Sequence, residues 1–366
     1  MKNGKALFVS HSSLMGEGGG GVQWCTREYL ATLLAAGIDP VPVLFETKRS
    51  MVQRILRKVY PLPYQDIDIE ALADSVVKTA IEVGTKLVFL NTADAASLAP
   101  ALRARSSDLR LIFFSHGVEV TDVVNNLRVS PLTMPAYQHK SRWIGDLLKS
   151  EILIREALDE VVCISEEDVA FEKWLGSKRA LFLPRQIRQD PLVITPIKGR
   201  VGTVATLDHG PNLHGIRLLA AAMEKDSAIE LRVVGGPEKI GLSLQKEFKT
   251  IKYVGRLSDE ELKKEASTWC AFVNPIFCHA RGASTKVATA LGWGLPVLTT
   301  TIGARGYRWN KEILPLTSTP DELRDLCIKV ALAENLDEWI NGASQIAALA
   351  HHPNESGGIL GDFLTK

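Results

Sequence analysis

Between Ala271 and Tyr307 a strand, a loop of small residues and a short helix carrying a lysine follow one another. AFVNP leads into CHARGAST, a helix opens near Lys286 with Ser284 or Thr285 as its N-cap, and Gly294 separates that helix from a second strand, LPVLTT. Such a loop delivers a helix N-terminus to the carboxyl end of a parallel strand. The free N–H groups of the first turn, the positive end of the helix dipole and the Lys286 ammonium then converge on one point. That is a site for an anion, most naturally phosphate. The same residues also fit an ordinary capped helix, with Val287 and Leu291 toward the core and Lys286 in solvent.

A second candidate is the run GEGGGG from Gly16 to Gly21, which contains G-x-G-x-x-G at Gly16, Gly18 and Gly21. A dinucleotide-binding turn comes directly off its strand, whereas HSSLM intervenes here between Ser10 and Gly16. The run therefore reads as a loop whose backbone closely approaches a ligand, or as a flexible surface loop, and not as a pyrophosphate turn. Asp66 and Asp68 form a D-x-D pair, a spacing used elsewhere to hold a metal, but Asp68 is well placed as N-cap of IEALADSVV. The eight histidines show no metal-ligand spacing: His351 and His352 are adjacent, and His209 and His214 lack cysteine or carboxylate company. No metal is expected.

The elements that position these residues alternate regularly. Apolar β-type runs lie at 6–10, 41–45, 86–91, 111–115, 161–165 and 180–184, and again at 200–206, 230–235, 251–255, 271–275 and 296–300. Nearly continuous Val, Ile, Leu and Phe suits strands buried on both faces. Between the first two runs, Val22, Thr26, Tyr29, Leu33 and Leu34 share one helical face, and Gly37 stops that helix. Alternating β and α elements, twice over, imply two α/β domains with parallel sheets. PRQIRQDPLVITPIKG (184–199) carries three prolines and reads as the linker. The final stretch, HHPNESGGILGDFLTK, reads as a helix packing back on the first domain.

At 366 residues two domains are expected, and 46% hydrophobic with 23% charged residues is ordinary for a globular protein with ample core. A net charge of +1 gives no pull toward nucleic acid. Five scattered cysteines without a CxxC pair fit reduced thiols and a cytoplasmic location. No apolar run approaches the roughly 20 residues that span a bilayer. KRSMVQRILRKVY (48–60) has five basic residues and no acid, with Met51, Ile55 and Val59 on one face. It is either a solvated helix or a basic amphipathic helix lying on an anionic inner membrane face.

Taken in order, these segments resemble a GT-B-type glycosyltransferase, most nearly the large retaining family four. GGGGVQWCTREYLATLLAAGIDPVPV resembles that family's opening loop and helix, and LDEVVCISEEDVAFEKWLG its passage before the linker. TLDHGPNLHGIRLLAAAM, ELRVVGGP, IKYVGRLSDEELKKEA and ASTKVATALGWGLPVLTTTIGARGY resemble its donor-domain elements. The resemblance covers most of residues 5 to 307. It implies two Rossmann-like domains facing a central cleft: residues 1–190 for the acceptor, 191–345 for the nucleotide-sugar, and 346–366 returning to the first domain.

By position, the resemblance makes Lys286 the cation on the donor diphosphate and Gly19 and Gly20 backbone contacts. It puts His116, in SHGVE, near the reacting sugar, although a strand-end histidine bonded only to its neighbours is the alternative. Gly255 and Arg256 fall beside the base, and Ser284 and Thr285 at the phosphate. The family's spaced pair of glutamates is replaced here by Arg281 and Thr289, and its arginine after the first donor-domain strand is absent from TLDHGPN. Arg281 is expected to restore the missing charge, and Thr289 to make a weaker ribose contact than a carboxylate. The expected activity is transfer of a sugar from a nucleotide-sugar to a glycan or lipid-linked acceptor, with retention and no cofactor. A GT-B epimerase and a catalytically silent nucleotide-sugar-binding partner are the alternatives.

Overall fold

The computed structural model describes residues 4–16, 20–47, 63–64, 66–129, 134–225, 228–279 and 281–366. Gly19 and the basic stretch 48–60 lie outside the described residues. Two compact units emerge. One comprises Met1–Arg185, Arg281–Ala283 and His351–Lys366, and the other Gln186–Ala280 and Ser284–Ala350.

The first unit is built on six strands: β1 (Gly4–His11), β2 (Ile38–Phe45), β3 (Leu87–Asn91), β4 (Arg110–Phe114), β5 (Glu160–Cys163) and β6 (Ala180–Phe182). They run parallel in the order β2-β1-β3-β4-β5-β6. Register explains the continuous apolar runs. Leu7 sits beside Val88 and Val88 beside Leu111, while Phe8 sits beside Phe89 and Phe89 beside Ile112. The first set feeds one buried cluster and the second set another, so β1, β3 and β4 have a core on both faces.

The helix Gly21–Ala35 covers the second face with Cys25, Thr26, Tyr29, Thr32 and Leu33. Leu34, expected on that face, is 61% exposed. Apolar type alone did not distinguish it from Leu33, and the helix turns it to solvent. The helix Pro353–Thr365 adds Leu360 and Leu364 to the same cluster. Gly357 allows that packing, because a Cβ there would meet the Ala35 carbonyl carbon at 2.6 Å.

The second unit has β7 (Arg200–Thr206), β8 (Glu230–Gly236), β9 (Ile251–Gly255), β10 (Ala271–Asn274), β11 (Val297–Thr300) and β12 (Leu316–Thr317). They are again all parallel, in the order β12-β11-β10-β7-β8-β9. Strand β12 is not legible in the sequence, since two residues on a sheet edge carry no period.

Each sheet has one place where successive strands are laid down in opposite directions: between β1 and β3, and between β7 and β10. Open α/β sheets bind ligands outside the carboxyl ends of strands at such points. The α/β fold with two parallel sheets expected from the sequence is therefore present. Among the described residues no helix is long and apolar enough to cross a membrane.

Candidate functional sites at the carboxyl ends of the two sheets

In the second unit, β10 ends in Asn274, and Asn274 organises the loop that follows. Its Nδ2 donates to Thr299 Oγ1 (3.1 Å) and to the Gly303 carbonyl (3.2 Å), which leaves Oδ1 to accept from Ser284 Oγ at 3.2 Å. Ser284 is the N-cap of the helix Thr285–Gly292, yet its hydroxyl is spent on Asn274 and makes no cap hydrogen bond. Tyr307 fixes the same residue from the other side, donating to the Ser284 carbonyl at 2.6 Å. The first-turn N–H groups are thus held in place without a side-chain acceptor, as an anion site requires. Thr289 donates back to the Thr285 carbonyl at 3.3 Å.

Lys286, in the first turn, donates from Nζ to Asn212 Oδ1 at 3.0 Å. Lys286 is half-buried, and desolvation of its ammonium lowers its pKa from the ordinary lysine value to about 8. Asn212 sits in the first turn of the helix Gly210–Met223, which follows β7, and its Nδ2 donates to the Thr206 carbonyl at 3.0 Å. That helix N-terminus also lacks a side-chain cap bond. Two helix starts, one after each strand of the β7/β10 pair, are therefore joined through a single lysine–asparagine contact. The expected solvent-facing alternative for Lys286 does not fit this geometry.

Gly215 makes the approach possible. A Cβ there would lie 1.6 Å from the Pro275 carbonyl oxygen. Gly215→Ala should therefore cost about 1–3 kcal/mol by forcing helix and loop apart, measured by urea unfolding. A neutral result would mean that the helix shifts freely.

Around β8 and β9, Gly255 takes φ of 96° with no atom near its missing Cβ, and the exposed Arg256 guanidinium lies over Gly236. Tyr253 secures the neighbouring turn by donating to the Gly235 carbonyl at 2.8 Å. Gly255 and Arg256 thus stand at the carboxyl end of β9.

In the first unit another strand-terminal asparagine plays the part of Asn274. Asn91, ending β3, donates from Nδ2 to Ser10 Oγ and to Thr26 Oγ1, both at 3.0 Å. Thr26 gives its own proton to the Val22 carbonyl (2.9 Å) and so must accept from Asn91. Asn91 Oδ1 is then the acceptor toward His116 Nε2 at 2.8 Å, which places the imidazole proton on Nε2 and leaves Nδ1 as an acceptor. Burial, reinforced by the charges of Arg185 and Arg281, pushes the His116 pKa down to about 3, so the ring is neutral. Thr92, next to Asn91, is a β-branched residue held at φ of 76°, a strain that clusters at functional sites. Gly20 is the N-cap of the helix Gly21–Ala35, again without a side-chain cap bond.

The loop from Ser115 to Glu119 that carries His116 is secured from below. Tyr29 donates to the Ser115 carbonyl at 2.7 Å, Ser115 Oγ accepts from the Gly117 N–H at 3.2 Å, and Glu151 Oε1 accepts the Glu119 N–H at 2.9 Å. Ser115 Oγ in turn donates to Glu172 (3.3 Å), and Glu172 holds Arg155 through bonds of 2.7 and 2.8 Å.

Arg281 belongs to this unit. Its guanidinium pairs with Glu119 and with Asp122 (3.2 Å), and its backbone N–H donates to Asp122 Oδ1 at 2.8 Å. Burial works against its charge, but Glu119 and Asp122 outweigh it and keep the pKa above the ordinary arginine value. Whatever charge Arg281 lends a phosphate must be shared with those two carboxylates. Among the described residues no group of three or more His, Cys, Asp or Glu side chains is placed to hold a metal. The roles of Asn212, Asn274, Asn91 and Tyr307 are not legible in the sequence; Asn91 and Asn274 are marked only by closing an apolar run.

Comparison with known proteins agrees with this architecture. Residues 198–330 match the family model described as glycosyl transferases group 1. A search among curated proteins gave no significant match. Sucrose-phosphate synthase from Thermosynechococcus elongatus is similar at a TM-score of 0.65 and 17% identity, over 100% of this chain and 98% of that one. HepE from Anabaena, solved in complex with UDP and glucose, is similar at a TM-score of 0.63 and 16% identity, over 99% of each chain. An E. coli trehalose-6-phosphate structure bound with UDP-2-fluoro glucose gives 0.63 and 13%, also over 99% of each. Residues 198–330 thus match the glycosyl transferases group 1 model, and the chain as a whole has the fold of these GT-B structures.

Proposed function

We propose that this protein transfers a sugar from a nucleoside-diphosphate sugar to a hydroxyl of a glycan or lipid-linked acceptor, with retention at the anomeric carbon. The observation that carries the reading is the half-buried Lys286, its ammonium held by Asn212, beside two uncapped helix starts at the β7/β10 reversal. Together they supply a fixed positive field where a leaving diphosphate gains charge, and preorganised charge of that kind favours the transition state over the ground state. UDP and glucose in the HepE complex support a uridine diphosphate sugar as the donor class. In this reading no bound metal or cofactor takes part. Gly255 and Arg256 stand by the base, Gly20 by the donor or acceptor, and Ser284, Thr285 and Thr289 by the phosphates and ribose. The leaving diphosphate assists attack of the acceptor on the face it vacates, so no side-chain nucleophile is needed. Neutral His116, with Nδ1 as an acceptor, stands near the reacting sugar. The product belongs to surface polysaccharide or glycoconjugate synthesis, and the basic stretch 48–60 suits a membrane-associated acceptor.

The test is release of nucleoside diphosphate from a panel of nucleotide-sugars, with and without glycan acceptors. Release should be slow in water and faster with an acceptor. His116→Ala should lower turnover by about tenfold or more while leaving donor affinity nearly unchanged. Conversion of the donor sugar without acceptor would make the protein an epimerase, and binding without turnover would make it a silent partner.

A further inference from the structure

We infer that Tyr64, Glu151 and Arg155 in the first unit form a binding site for a single alcohol hydroxyl, which the acceptor sugar provides. The word acceptor rests on the transferase reading; the hydroxyl site itself rests on three side chains.

Glu151 and Arg155 lie one turn apart on the helix Met134–Ala157 and are 0% and 1% exposed. Each has only part of its hydrogen-bonding capacity in use. Glu151 spends Oε1 on the Glu119 N–H, and its buried Oε2 has no partner. Arg155 spends Nε and Nη2 on Glu172, and its buried Nη1 has no partner. The Tyr64 hydroxyl is likewise buried without a partner. The three lie in one region. Tyr64 packs on Val118, Val120 and Leu147, Glu151 holds the N–H of Glu119 between those two valines, and Leu147 precedes Glu151 by one turn of the helix that also carries Arg155. The charges of Glu151 and Arg155 act on the Tyr64 phenol accordingly. A buried polar group left unpaired is costly and uncommon, and three in one region point to an occupant.

The chemistry of that occupant follows from the groups. Glu151 Oε2 accepts when the carboxyl is ionised, which burial delays by raising its pKa to about 7. Arg155 Nη1 donates, and the Tyr64 hydroxyl donates once its oxygen is approached. An alcohol hydroxyl offers one proton and two lone pairs, and so satisfies all three. A cation would meet the guanidinium, an anion would meet the carboxylate, and an apolar group would leave three polar atoms unpaired. A water molecule shares the hydroxyl chemistry, so the titration below separates the two.

The surroundings suit a sugar. Tyr64 packs against an apolar cluster of Val118, Val120, Leu147 and Leu175, a wall for the C–H face of a pyranose. Tyr64 is partly exposed, whereas Glu151 and Arg155 are wholly buried, so access runs past the tyrosine. Its backbone is held at φ of 60°, rare for a bulky residue. Glu151 also links the site to the His116 loop, because its other oxygen holds the Glu119 N–H.

The test uses the full chain with ring-13C tyrosine. The Tyr64 resonance, one of six, is assigned by its loss in Tyr64→Phe. Glycerol and methyl β-D-glucopyranoside are the probes, each titrated alone. A saturable shift of the Tyr64 signal with either probe is expected, and Glu151→Gln, which keeps an amide oxygen for the Glu119 N–H, should weaken it about tenfold or more. Linear, unsaturable drift with both probes would show that the site holds solvent water alone and would overturn the inference. A response of equal affinity in Glu151→Gln would overturn it as well. UDP binding, followed by calorimetry on the same samples, keeps the two readings apart. Lost UDP binding with an intact sugar response would sink the transferase reading only, and the reverse would sink the hydroxyl site only.

Discussion

Lys286→Ala should weaken nucleoside-diphosphate binding by about 1.5–3 kcal/mol, the scale of a charge-assisted hydrogen bond, when measured by calorimetry near neutral pH. The residue already donates to Asn212 at 3.0 Å, so its ammonium arrives oriented and a ligand need not immobilise it. Burial has lowered its pKa to about 8, which adds a pH signature. Below that value the free protein holds the ammonium charged and affinity is flat. Above it the free protein has lost the proton that the anion requires, so affinity falls as pH rises, by as much as about tenfold per unit. Lys286→Ala should abolish this slope along with the affinity. An unchanged dissociation constant, or a slope that persists in the variant, would remove Lys286 from the site. Lys286→Arg is not expected to rescue, because a planar guanidinium cannot replace a compact ammonium held by a single asparagine oxygen.

The second large effect lies on stability. Arg155→Met leaves Glu172, itself 0% exposed, without its two charge-assisted bonds. Its remaining partners are Ser115 Oγ at 3.3 Å and Ser177 Oγ at 3.2 Å, both long. An uncompensated buried carboxylate costs about 3–5 kcal/mol, so the variant should lose a large share of its stability in urea unfolding. The double variant Arg155→Met with Glu172→Gln should recover much of that loss, because it removes the charge that had no partner. A single variant that loses less than about 1 kcal/mol would mean that water reaches the pair. Ser115 and Glu172 also brace the His116 loop, so the single variant should lose turnover at denaturant concentrations that leave it folded.

The central strands β1, β3 and β4 were legible because they are buried on both faces and therefore composed largely of apolar residues; Leu7 and Phe8 point into different cores yet look alike in the sequence. The same uniformity hid side-chain direction on the first helix, where Leu33 is buried and Leu34 is not. Strand β12 escaped because its two residues carry no period, and its place on the sheet edge is set by pairing with Thr299 and Thr300.

By itself the sequence determined the α/β alternation and the local grouping at Lys286 proposed to hold an anion, since backbone N–H groups, helix dipole and ammonium all come from a few adjacent residues. Only the tertiary structure decided what completes that motif. Asn212 is 74 residues from Lys286, and Glu119 is 162 residues from Arg281. Tyr64 comes into one region with Glu151 and Arg155 only through tertiary packing on Val118, Val120 and Leu147. Hydrogen bonds and ion pairs act over a few ångströms in space and leave no period along the chain. A lone asparagine or glutamate therefore reads as an ordinary polar residue until the fold supplies its partner.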